Sequence, residues 1–115
     1  KGKIIVINFW FIQCKPCVKE MPQLNELVKR YKNNKNVVFL GVSFDEKVLI
    51  NTFLKKTEFN YQIISNAEKF TKDYEISVYP TQMIINKDSK ISYFAVGGGK
   101  EIISELSKNI KKELK

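Results

Sequence analysis

The sequence predicts an α/β fold, a mixed central sheet with helices on both faces, in one domain spanning residues 1–115. Three observations predict it. Apolar runs of strand length alternate with segments whose apolar residues recur at helical spacing. One of those runs, Val37 to Phe44, is apolar almost throughout, the signature of a strand covered on both faces. The last two strand candidates are joined by the polar turn Asn86-Lys87-Asp88-Ser89, which returns the second antiparallel to the first. With 115 residues and 43% hydrophobic content, the chain is long enough to bury one sizeable core.

Taken in order, Ile4 to Trp10 is the first strand. Val18, Met21, Leu24, Leu27, Val28 and Tyr31 then mark a helix from about Lys15 to Tyr31 or Lys32, with a kink expected at Pro22, which cannot bond the Val18 carbonyl. Asn33 to Asn36 is a turn, and Val37 to Phe44 is a strand. Strand, helix, strand in that order makes a right-handed parallel βαβ unit. Asp45-Glu46 opens a second helix with Val48, Leu49, Phe53 and Leu54 as its inner face. Tyr61 to Ile64 is a short extended piece, and Ser65 or Asn66 caps a third helix from Ala67 to Tyr74, with Phe70 and Tyr74 facing in. Thr81 to Ile85 and Lys90 to Val96 are the antiparallel pair. After Gly97-Gly98-Gly99 a last helix runs to about Leu114, with Ile102, Ile103, Leu106 and Ile110 on one face.

Both cysteines of the chain, Cys14 and Cys17, fall where the first strand turns into the first helix. Residues three apart on a helix share a face, with Cβ atoms about 5–6 Å apart, near enough for a disulfide. The unpaired N–H groups and dipole of a first turn favour a thiolate. Cys14, at the mouth of the turn, is therefore expected to attack, and Cys17, one turn inward, to be the shielded resolving thiol. Pro16 stiffens that turn at little cost in hydrogen bonds. A zinc site would want four ligands of Cys or His type, but the chain has no His and no third Cys. No metal is expected.

The segment Asn8-Phe9-Trp10, then Cys14-Lys15-Pro16-Cys17, Glu20 and Pro22, resembles the thioredoxin superfamily, and more narrowly its TlpA/ResA branch of thiol–disulfide oxidoreductases. The resemblance spans essentially the whole chain. It implies a thioredoxin fold lacking the β-hairpin that TlpA-like domains carry before the first strand. Two positions depart from thioredoxin itself: Asn8 stands at a buried aspartate and Gln13 at the tryptophan before the first cysteine.

That resemblance implies a set of roles. Tyr79-Pro80 matches the superfamily's cis-proline, which faces the disulfide, with the backbone of the residue before it pairing to an extended substrate segment. Glu46, just past the second strand at the carboxyl edge of the sheet, matches an active-site glutamate. A partly buried Glu46 with a raised pKa is the expected proton acceptor for Cys17, and Asp45 is its alternative. Glu20 is read as helical support. Lys15 and Pro16 support the site within the motif, and Trp10 is core packing that also walls it. The triglycine is no phosphate loop, since the P-loop pattern is missing; it lets the chain pass close to Cys14.

Function classes can be weighed on the same residues. The formal net charge of +8 invites nucleic acid, but only one of the 20 basic residues is an arginine, Arg30, and the lysines are spread along the chain. A solvated lysine surface is expected. A peroxiredoxin-like peroxidase needs a threonine three residues before its cysteine and an arginine beside it. Phe11 holds that offset from Cys14, and Arg30 lies at the far end of the helix. A sensor or docking module with a structural disulfide is the non-enzyme alternative. The expected function is cofactor-free reduction of protein disulfides by a monomer. By resemblance it lies outside the cytoplasm, periplasmic or membrane-anchored, with electrons from a membrane thiol–disulfide donor. The start at Lys1-Gly2-Lys3, one step before a strand and without methionine, reads as a piece of a longer precursor.

Overall fold

The computed structural model describes residues 2–99 and 101–115. Among the described residues, nine elements follow one another: β1 (Ile4–Trp10), α1 (Lys15–Arg30), β2 (Val37–Ser43), α2 (Lys47–Leu54), β3 (Gln62–Ile64), α3 (Glu68–Asp73), β4 (Thr81–Ile85), β5 (Ile91–Val96) and α4 (Ile102–Leu114). The strands form one mixed sheet in the order β3-β2-β1-β4-β5. β1 pairs parallel to β2, and β2 parallel to β3. β1 pairs antiparallel to β4, and β4 antiparallel to β5. α1 runs through Pro22 as a single element.

Alternation along the strands divides the core into two layers. Even-numbered Ile4, Val6 and Trp10 of β1 pack with Cys17, Met21, Leu24 and Leu27 of α1 and Ile102, Leu106 and Ile110 of α4. Odd-numbered Ile7 and Phe9 pack with Val42, Met83, Ala67 and Ile76 on the side of α3. Gly41 of β2 is glycine for want of room. A Cβ there would lie 2.8 Å from the Phe59 ring and 3.1 Å from the Trp10 indole nitrogen.

Two helices differ from expectation. α2 buries Ile50, with Phe53 and Leu54 partly buried, whereas Val48 is 70% exposed and Leu49 51%. The apolar residues Val48, Leu49, Ile50 and Phe53 cannot all face one side of a helix, and packing selects Ile50. α3 is shorter than expected and is capped by no side chain; its buried residue is Thr71. Phe70 and Tyr74 stay on its rim, Phe70 stacked on Phe9 at 5.9 Å.

This topology decides where chemistry can occur. β1, β2 and β3 end on one edge of the sheet, and antiparallel β4 begins there, with Phe9 opposite Thr81. β5 ends on the same edge, with Val96 opposite Thr81. Four chain segments therefore converge there: the turn after β1, the loop after β2, Tyr79-Pro80 before β4, and Gly97-Gly98-Gly99 after β5.

Candidate active site

Cys14 is the N-cap of α1 and Cys17 lies in its first turn. The two sulfurs are bonded, with Cα atoms 5.3 Å apart. The Cys17 backbone N–H donates to Cys14 Sγ at 3.3 Å, the contact by which a helix N-terminus would stabilise a Cys14 thiolate. Pro16 occupies the same turn, where its missing N–H leaves no helical carbonyl unpaired. Cys17 is wholly buried, as expected, but Cys14 retains only 5% of its surface. The oxidised pair is thus shielded at both sulfurs, and the difference between them is small. Lys15 and Pro16 are exposed beside it.

The turn carrying Cys14 is held from the end of β2. The Asp45 carboxylate accepts from the Ile12 N–H at 2.8 Å and from the Ser43 hydroxyl at 2.9 Å. Tyr79-Pro80 is cis, as the resemblance implied. Pro80 is buried, and its carbonyl accepts from the Gly97 N–H at 2.7 Å, which docks the triglycine against β4. A groove opens there, lined by Pro16, Lys19, Glu20, Tyr79 and Gly97 to Gly99. Trp10 is wholly buried in the layer that holds both cysteines, against Phe53 and Phe59.

The carboxylates are not arranged as expected. Glu46 is exposed, an N-cap of α2 whose side chain makes no capping bond, so the expectation of a partly buried Glu46 is corrected. The buried carboxylate is Glu20, 8% exposed and three residues on from Cys17 along the same helix face. Burial pushes its pKa up from 4.5 to about 7, against the opposing hydrogen bond from the Gln82 amide. That bond, from Nε2 to Glu20 Oε1, is 2.7 Å. In sequence Glu20 reads as support, because a glutamate in the first turn of a helix needs no function to be there; α1 begins at Lys15, which leaves Glu20 beyond its first turn. The signal that could have found it is Gln82, a polar residue next to the apolar run Met83-Ile84-Ile85 of β4.

An aromatic trio has no signature in sequence at all. Phe11, Phe44 and Tyr79 come from three different segments and meet at ring distances of 5.1–5.9 Å. Phe44 reads in sequence as the end of a strand. In the structure β2 stops at Ser43, and Phe44 turns out to the edge, 36% exposed.

Comparison with known proteins agrees with this geometry. The AhpC/TSA family matches residues 1–94. A thiol-disulfide oxidoreductase ResA of Bacillus cereus is 35% identical over 99 residues, 84% of this chain and 57% of that protein. The chain thus spans little more than half the length of that relative. A solved thiol-disulfide oxidoreductase from Bacteroides fragilis superimposes with a TM-score of 0.79 at 26% identity, covering 94% of this chain and 82% of that one. StoA from Bacillus subtilis shares the fold, with a TM-score of 0.80 at 23% identity over 95% of this chain and 83% of that one. The fold is thioredoxin-like, and no helix among the described residues is long and apolar enough to cross a membrane.

Proposed function

The chain belongs to the AhpC/TSA family, and from that premise we propose that it is a thiol–disulfide oxidoreductase that reduces disulfides in protein substrates. The observation that carries this reading is the Cys14–Cys17 disulfide, set across the N-cap and first turn of a 16-residue helix. In the reduced protein, the Cys14 thiolate attacks one sulfur of a substrate disulfide. The substrate's other sulfur leaves as a thiolate and takes up a proton. Cys17 gives up its proton and attacks Cys14 Sγ, so the substrate leaves as a dithiol and the protein keeps the disulfide. Two electrons pass to the substrate, and a donor dithiol must return them.

Resolution by Cys17 needs a proton acceptor, because burial in apolar surroundings raises a thiol's pKa. Glu20 takes this role in place of exposed Glu46. A carboxyl titrating near 7 is matched to proton transfer near neutral pH. Its charge also disfavours a neighbouring thiolate, so Glu20→Gln should lower the thiol pKa values while slowing resolution. The substrate segment lies along Tyr79-Pro80, with an apolar side chain against the Phe11, Phe44 and Tyr79 rings. This reading includes a site outside the cytoplasm and a membrane protein as electron donor, and the resemblance of the cysteine motif to the TlpA/ResA branch supports both.

One observation favours the second reading, a structural disulfide in a docking module: Cys14 is only 5% exposed. The reduction potential separates the two. A redox-active pair falls between about −270 and −120 mV, whereas structural disulfides lie below about −300 mV. The direct test is reduction of insulin disulfides by dithiothreitol with and without the protein. Acceleration by wild type and none by Cys14→Ser is the expected result. Equal background rates for both would end the oxidoreductase reading.

A further inference from the structure

Three polar side chains lie inside the apolar layer that holds Cys17. Asn8 of β1 and Gln82 of β4 are both wholly buried and stand directly opposite each other in the antiparallel register, a placement that puts Cβ atoms about 5 Å apart. Glu20 of α1 completes the row through its 2.7 Å bond from Gln82. Buried amides in a strand cost free energy unless they bond, yet both polar atoms of Asn8 and Gln82 Oε1 have no partner among the described residues. The side-chain bond that the row does make is the one to Glu20.

The two oxygens of Glu20 are not equivalent. Oε1 is tied to Gln82, whereas Oε2 is buried with no partner among the described residues. Oε2 lies beside Gly98, where a Cβ would come within 3.4 Å of it and within 3.9 Å of the Pro80 ring. We propose that Gln82 is a positioning residue, whose amide anchors one Glu20 oxygen and so holds the other, Oε2, against Gly98 and on the helix face it shares with Cys17, as the proton-accepting atom. This rests on the role given to Glu20 above and extends it to a residue outside the Cys14–Cys17 motif.

The chemistry fixes the sign. An amide N–H donated to a carboxylate favours the charged form, so removing it must raise the pKa of Glu20. A charge-assisted bond of this kind is equivalent to about one pH unit or more. The titratable groups around Glu20 are Cys17 on its own helix, Lys19 and Tyr79 in the groove, and Tyr61 ahead of β3. The Tyr61 phenol is pushed up chiefly by burial and further by the charge of Glu20. Among the described residues, the donor to Oε1 is Gln82.

The test is a carbon-13 NMR titration of the Glu20 carboxyl in the oxidised protein, in wild type and in Gln82→Met, which keeps the volume and removes the amide. The carboxyl midpoint should rise by about one unit or more, and the pH profile of mixed-disulfide resolution should move with it. In a Glu20→Gln background, Gln82→Met should leave that profile unmoved. An unshifted carboxyl midpoint overturns the proposal. If Gln82→Met fails to fold, the side-chain amide of Gln82 in wild type serves instead: its nitrogen-15 shift must titrate with the midpoint of Glu20, and a flat response is equally fatal. Should Glu20→Gln itself leave the resolution profile unchanged, the role of Glu20 fails, whatever Gln82 does to the carboxyl.

Discussion

Glu20→Gln should make the oxidised protein more stable, and only above mildly acidic pH. The folded state raises the Glu20 pKa from 4.5 to about 7, so it holds the proton more tightly than the unfolded chain does. Between those values the folded state binds more protons, and stability falls as pH rises. The cost is absent below about pH 4.5 and complete above about pH 7. At about 1.4 kcal/mol per unit, it reaches at most about 3.5 kcal/mol. The substituted amide keeps an oxygen that can accept from Gln82, so little is lost in exchange. The window is unusually clean, because the chain has no histidine and the bonded cysteines do not titrate. Urea unfolding of oxidised wild type and Glu20→Gln at pH 4 and pH 8 measures it. Near-equal stabilities at pH 4 and a more stable variant at pH 8 are expected. Parallel pH dependence in the two proteins would refute the claim that Glu20 carries a burial penalty.

Packing sets three further outcomes. Gly41→Ala puts a Cβ 2.8 Å from Phe59 and 3.1 Å from Trp10 and should cost about 1–3 kcal/mol of overpacking; unchanged urea unfolding would contradict the contact. Phe44→Ala should raise KM for protein disulfides about fivefold, the equivalent of roughly 1 kcal/mol of lost aromatic contact, while small aromatic disulfides react as before. Equal effects on both substrates would remove the trio from substrate binding. Trp10, buried in the same layer as Cys14 and Cys17, should change its emission on reduction, in a single transition when titrated in glutathione buffers. An emission indifferent to redox state would separate the indole from the pair.

The strands and the cysteine pair were legible because each rests on local pattern, and Tyr79-Pro80 was legible only through its resemblance to the superfamily's cis-proline. Ile4 to Trp10 is apolar in a run, and two cysteines three apart between a strand and a helix are seldom a coincidence. What stayed hidden was whatever depends on the phase of a helix or on neighbours distant in sequence. In α2 the apolar residues crowd together, and only packing selects Ile50 over Val48 and Leu49. Glu20 and Glu46 look alike in sequence, each toward a helix start. The sheet separates them by bringing Gln82, 62 residues away, against one and leaving the other in solvent. Phe11, Phe44 and Tyr79 likewise become a surface only once β1, β2 and β4 share an edge.

The central claim, that Cys14 attacks and Cys17 resolves, is tested most directly by trapping. Reduced Cys17→Ser is mixed with a disulfide-bonded protein substrate, quenched in acid, and the adducts are mapped by mass spectrometry without reductant. The mechanism requires a mixed disulfide at Cys14 that accumulates, and a reduced Cys14→Ser control that forms far less. Adducts that build up on Cys17 in Cys14→Ser, with none on Cys14 in the reciprocal variant, would contradict it.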